Sequence, residues 1–181
     1  MKHEHKEYTG EQGVSAKKEL FSWFKVILFA FFVTLVISYF IKPTLVSGRS
    51  MYPTLENNDY LILNKVAYQT GDPSHGDIVV FNSHLVGEKI LIKRVIATGG
   101  EKITVKDGKV YINDKLIDEP YLKGVETFGD IDAIVPKNEV FVMGDNRGNS
   151  MDSRRSEVGF VDKSEILGKV WFRVFPMKGI N

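Results

Sequence analysis

No cysteine occurs among the 181 residues, which excludes a disulfide framework, a thiolate-held zinc site and a thiol nucleophile. Neither sign of charge dominates. With 24 Lys and Arg against 23 Asp and Glu, a net charge of +1, the broad basic surface needed by a nucleic-acid partner is missing. Histidine is scarce as well: His3, His5, His75 and His84 are too scattered to suggest a metal site, and no cofactor is expected. Internal repeats and heptads are also lacking. What the chain does have is 43% hydrophobic against 26% charged residues, the composition of a folded protein. Its apolar residues are concentrated near the start.

From Val26 to Ile41 the sequence reads VILFAFFVTLVISYFI, interrupted only by Thr34, Ser38 and Tyr39. Extended back to Phe21, the run covers residues 21–41 with Lys25 as its one charge. A helix of that length spans about 31 Å, enough for the hydrocarbon core of a bilayer. Lys25 can snorkel to the headgroups, and Trp23 and Tyr39 suit the two interfaces. A buried core helix is the weaker reading, because so many aromatic and β-branched residues come without a polar stripe. A cleavable signal peptide fits the preceding Lys17 and Lys18, but Lys42-Pro43-Thr44-Leu45 offers no small-x-small site. The expectation is an uncleaved, single-pass anchor in the cell membrane, with residues 1–20 as a mobile cytoplasmic tail and residues 42–181 extracytoplasmic. Lys17, Lys18 and Lys25 favour that orientation, against Lys42 and Arg49 on the far side.

Residues 42–181 read mainly as strand. Tyr60–Asn64, Asp77–Phe81 and Lys89–Ile96 are short, apolar and β-branched, mostly bounded by Gly, Asn or Asp. Ile103–Lys106, Lys109–Ile112 and Lys115–Ile117 form a meander turning at Asp107-Gly108 and Asn113-Asp114, where Asp-Gly favours a type I′ hairpin. Glu139–Met143 and Ile166–Phe175 add two more strands, with one short helical turn expected around Met51–Glu56. The fold class is thus mainly β: a single N-terminal transmembrane helix followed by an all-β domain. Trp171, Phe172, Phe175 and Met177 lie in a stretch that reads mostly as core strand, with some side chains available to dip into a membrane interface.

Three stretches could carry chemistry. Ser50, between Gly48 and Pro53, suits a tight exposed turn, although a plain linker turn or helix N-cap fits as well. In a strand, Lys93 shares a face with Leu91 and Val95, and Arg94 lies on the other with Ile92 and Ile96. An amine so placed is either an edge-strand gatekeeper or desolvated, and a desolvated lysine loses its charge more easily and can take a proton from a hydroxyl. Gly144–Arg154 (GDNRGNSMDSR) is either a solvated polar loop or a buried network in which Asp and Arg pair.

Together these stretches resemble the bacterial type I signal peptidases. SMYPTL (Ser50–Leu55), Asp59–Leu61, GDIVVF (Gly76–Phe81), KRVI (Lys93–Ile96) and GDNRGNSMDSR stand in family order after an N-terminal anchor. The resemblance implies a serine protease with a Ser–Lys dyad: Ser50 as nucleophile, Lys93 as general base and Ser150 as the serine that hydrogen-bonds and orients the lysine. It also implies a structural pair in Asp152 and Arg154, support from Asp145, Arg147 and Arg94, and a tight-turn role for Gly144. Lysine rather than the histidine of microsomal relatives favours the prokaryotic type. Many Gram-negative members have a serine where this chain has Gly48, so the oxyanion is expected to rest on backbone N–H groups, including that of Ser50, as in Gram-positive members.

The implied substrates are exported pre-proteins cut after a small-x-small motif, met near the export translocon at the lipid bilayer. Val46, Met51, Leu55, Leu91 and Ile92 are expected to line shallow pockets, or else to serve as plain core. The short link from Ile41 keeps Ser50 within roughly 30 Å of the anchor at full extension. His75 and His84 are expected to be loop histidines. Two rivals remain. A self-cleaving regulatory peptidase of the same β-fold predicts a DNA-binding module, and a non-catalytic anchored scaffold predicts Ser50 and Lys93 far apart with the amine in water.

Overall fold

The computed structural model describes residues 11–69, 71–87, 90–177 and 179 and divides into two units, Met1–Phe40 and Ile41–Asn181. The first contains one helix, α1 (Glu11–Phe40), in which Lys17–Phe40 is long and apolar enough to cross a membrane. The helix starts ahead of residue 21, because Ala16, Lys17, Lys18, Glu19 and Leu20 are good helix formers that extend a ladder already nucleated. It ends at Phe40, one residue before the expected boundary. Pro43 disfavours helical backbone at Lys42, and Ile41 opens a strand instead. Residues 1–10 of the expected tail lie outside the described residues.

The second unit is mainly β, as expected. Its strands are β1 (Ile41–Leu45), β2 (Tyr60–Asn64), β3 (Ile78–Asn82), β4 (Ile90–Thr98), β5 (Lys102–Lys106), β6 (Lys109–Ile112), β7 (Lys115–Leu116), β8 (Ile131–Ile134), β9 (Glu139–Met143), β10 (Val161–Asp162) and β11 (Ile166–Phe175). They form a seven-stranded sheet, β1-β2-β11-β3-β4-β9-β10, and a four-stranded sheet, β7-β6-β5-β8. Neighbours are antiparallel throughout. The β5–β6 turn places Asp107 and Gly108 at φ 49° and 75°, the paired left-handed residues of a type I′ turn. Of these, β1, β8 and β10 are sheet-edge strands that the sequence did not lead us to expect. No helix forms at Met51–Glu56; a single turn closes there through Leu55 N–H to Met51 O at 2.9 Å.

Three apolar clusters make the core. Ile96, Ala97, Phe141 and Met143 join the large sheet to Ile103, Val105, Val110 and Ile112 of the small one. Val79, Phe81, Leu91, Val95, Val140 and Val142 form a second cluster. In the third, Val46, Met51 and Leu55 plug onto Leu61, Leu63, Ile78, Val80 and Val170, with Ile92 against them. Trp171, Phe172, Phe175 and Met177 are exposed rather than core, at 61%, 44%, 66% and 90%. Register shifts between Val170 and Phe172, and between Arg173 and Phe175, break the two-residue beat of β11 and turn successive apolar side chains outward.

Candidate active site

Met51 and Leu55, one helical turn apart and both buried, fasten the loop after β1 to the core and leave Ser50 at its margin. The loop is tied further by Val46 N–H to Asp59 O, by Asn58 N–H to Val46 O, both at 2.9 Å, and by Gly48 N–H to Asn57 Oδ1 at 2.9 Å. Gly48 has φ 95°, a conformation that strains any side chain, and a Cβ there would meet nothing within 4 Å. Glycine is thus required at Gly48 by the backbone rather than by crowding.

Lys93, in β4 opposite Val79, is 2% exposed. Its Nζ lies 2.8 Å from Ser50 Oγ and donates to Ile92 O at 3.0 Å. The two residues are thus neither far apart nor is the amine in water, contrary to the scaffold reading. Gly144 follows the end of β9, and its place is fixed by contact on both sides. A Cβ there would sit 2.7 Å from Ser150 Cβ and closer still to Ser150 Oγ and the Ser50 carbonyl oxygen. Its φ is not left-handed: close approach, rather than backbone conformation, demands the glycine. Asn146 donates through its backbone N–H to Ser50 O at 2.9 Å and through Nδ2 to Arg49 O at 3.0 Å. The expected bond from Ser150 to Lys93 is not made in this structure. Ser150 Oγ is buried beside Gly144 and meets full hydrogen-bond geometry with no group.

The loop Gly144–Arg154 is a buried ion-pair network rather than a solvated loop. Arg94 grips Asp145 with two bonds, Nε to Oδ1 at 2.9 Å and Nη2 to Oδ2 at 2.7 Å, and reaches Gly76 O at 2.9 Å. Thr54 Oγ1 donates to the same Asp145 carboxylate at 2.5 Å, tying the serine loop to the network. Burial alone would lower the Arg94 guanidinium, but the Asp145 carboxylate raises it above its ordinary value. Arg154 holds Asp152 by Nε at 2.8 Å and Nη2 at 2.9 Å, and Gly144 N–H donates to Asp152 Oδ2 at 3.0 Å. Burial raises the Asp152 carboxyl, yet Arg154 and the Gly144 N–H outweigh it and leave it below the usual carboxylate range. Arg147 donates to Gly144 O at 3.2 Å. Asp145→Ala leaves the Arg94 guanidinium, 8% exposed at its side chain, without its counter-charge. The expected loss is about 3–5 kcal/mol of stability, read from denaturant midpoints.

Val46, Met51 and Leu55 are buried core residues beside Ser50, and Ile92 packs on them half-buried, whereas Leu91 belongs to a different cluster. His75 pairs with Glu101 at 2.6 Å and His84 is exposed; both sit in loops. Sequence reasoning missed Thr54 and also Arg173, whose Nη1 reaches Asp59 Oδ2 at 2.5 Å and Thr54 O at 3.3 Å. The lone cation in the apolar run WFRVF was the signal available for Arg173. Among the described residues, no group of three or more His, Asp or Glu could hold a metal.

Residues 20–175 match the protein family described as "Signal peptidase, peptidase S26". The chain is 38% identical to the signal peptidase I of Bacillus licheniformis, over 96% of this chain and 98% of that protein. It is 42% identical to signal peptidase I T of Bacillus subtilis (strain 168), over 85% of this chain and 84% of the relative. A solved signal peptidase I from Enterococcus faecalis V583 covers 56% of this chain and 98% of its own, at 30% identity and a TM-score of 0.49.

Proposed function

Because the chain belongs to the signal peptidase family, peptidase S26, it is a hydrolase of signal-peptide removal, and we propose that it cuts with Ser50 as nucleophile and Lys93 as general base. One observation carries the dyad: the buried Lys93 amine lies 2.8 Å from the Ser50 hydroxyl. Lys93 is 2% exposed, and burial disfavours an ammonium charge, which suits its amine to accept a proton. As Ser50 Oγ attacks the scissile carbonyl, its proton passes to Lys93 Nζ. The tetrahedral intermediate collapses, the leaving amine takes that proton, and an acyl-enzyme remains on Ser50. Lys93 then deprotonates a water that releases the acyl group.

Ile92 O limits the freedom of the amine, which keeps its effective molarity high. Ser150, with its unsatisfied hydroxyl beside Gly144, is the residue to take up a further bond to the amine. The Ser50 N–H is the first donor to the oxyanion; the Gly48 N–H is already engaged by Asn57. The substrate is an exported pre-protein in extended form, cut after a small-x-small motif, with Ile92, half-buried beside the Met51 and Leu55 core, as the apolar side chain nearest its path. In this reading the chain ahead of the apolar helix is cytoplasmic, that helix, ending at Phe40, anchors the chain in the cell membrane beside the translocon, and the β unit from Ile41 works on the far side. The anchor then raises the encounter rate with signal peptides that lie in the same bilayer.

A pH profile of kcat/KM tests the base. It falls with unit slope on the acidic side as the amine gains a proton, at a pKa well below the ordinary lysine value of about 10.4. A profile with no acidic limb down to the carboxylate range removes Lys93 from the role.

A further inference from the structure

The segment between β7 and β8 belongs to none of the motifs above, yet it closes over the arginines that hold the site together. We propose that Glu119, supported by Tyr121 and Thr127, is a positioning residue for cleavage, holding through Arg147 the loop against which Ser50 is seated. This rests on the Ser50–Lys93 reading given above.

Arg147 is fully enclosed, with 0% of its side chain exposed, so its charge must be met by protein groups. Glu119, 9% exposed, meets it with both carboxylate oxygens: Arg147 Nη2 donates to Oε1 at 2.5 Å and Nη1 to Oε2 at 3.1 Å. This is the two-pronged pairing that fixes orientation as well as position. Thr127 Oγ1 accepts from Nη1, and Tyr121 OH donates to Glu119 Oε1 at 2.5 Å. With its outer end clamped, the guanidinium turns its remaining Nε–H onto Gly144 O. Gly144 is the residue pressed between Ser50 O and Ser150, and Asn146, two residues on, donates to Ser50 O. A carboxylate from outside the motifs therefore reaches the nucleophile through one side chain and one short loop.

The same segment touches the second arginine. The Tyr121 ring lies 4.0 Å under the Arg94 guanidinium, which grips Asp145 and, through it, Thr54 of the serine loop. Arg94 and Arg147 thus share one short stretch, Glu119–Tyr121, as a common brace. A carboxylate that served folding alone would lower stability when removed and leave the chemistry of the folded molecules intact. A brace affects the rate of the folded molecules.

The experiment uses the full chain in detergent micelles and a fluorogenic precursor peptide. Glu119→Gln removes the charge and faces an amide N–H2 toward Arg147; kcat is expected to fall roughly tenfold, with KM changed less than about twofold. Tyr121→Phe keeps the ring over Arg94 and removes only the bond to Glu119. A smaller fall in kcat is expected, with the melting temperature nearly kept. If both variants lower the melting temperature but keep the kcat of the unsubstituted chain, Glu119 is structural and the proposal is overturned. Should Glu119→Gln fail to fold, Tyr121→Phe decides alone, and an unchanged kcat overturns the proposal. Ser50→Ala is run alongside. Cleavage by that variant sinks the dyad reading itself, whereas a dead Ser50→Ala with a fully active Glu119→Gln sinks only the brace.

Discussion

Ser50→Ala and Lys93→Met are each expected to reduce cleavage of a secretory precursor by on the order of 10⁴-fold or more. Alanine leaves no atom to carry the acyl group, and methionine fills the volume of the lysine stem without any proton acceptor. Both are tolerable for the fold: Ser50 stands at the margin of its cluster, and Lys93 already lives among apolar neighbours such as Val79 and Leu91. Because the two residues act as one unit, the double variant is expected to be no worse than either single one. Retention of cleavage within about tenfold by either purified variant removes the dyad.

Gly144→Ala is expected to lower kcat by about 10²- to 10³-fold. The added methyl has nowhere to go, since Ser50 O lies on one side and Ser150 on the other, both inside van der Waals contact. Something must shift, and the Asn146 N–H bond to Ser50 O lies directly in the path of that shift. A displacement of about 1 Å at a nucleophile costs on the order of 10² in rate. The contrast is Gly148→Ala, where a Cβ meets nothing within 4 Å and the same change is expected to be silent in kcat. Equal effects at the two positions, measured by initial rates on the same peptide, refute the steric account.

Several strands were legible because apolar runs and turn chemistry coincide in them. Lys109–Ile112 and Glu139–Met143 stand where the sequence put them, and Asp107-Gly108 makes the expected turn. The edge strands β1, β8 and β10 were not legible, because they exist through pairing with distant partners rather than through their own pattern. Ser50 and Lys93 were findable from the ordered motifs. Their separation of 43 residues in sequence, however, leaves geometry to the fold. Glu119 and Thr127 had no signal at all, since a carboxylate beside a proline reads as an ordinary turn until Arg147 is seen behind it. The outward face of β11 was misread because two bulges override an alternation that sequence alone must assume.

The ion-pair network has one more effect, on how the protein behaves as a chemical instrument. Arg94 is held above, and Asp152 below, the range in which such groups normally change charge. Burial, with the Glu119 carboxylate next, likewise pushes the Tyr121 phenol upward and out of reach. These neighbours therefore keep the same charges from mildly acidic to mildly alkaline solution, and add no inflection of their own there. A rate profile that bends in that range is therefore bent by some group other than these three.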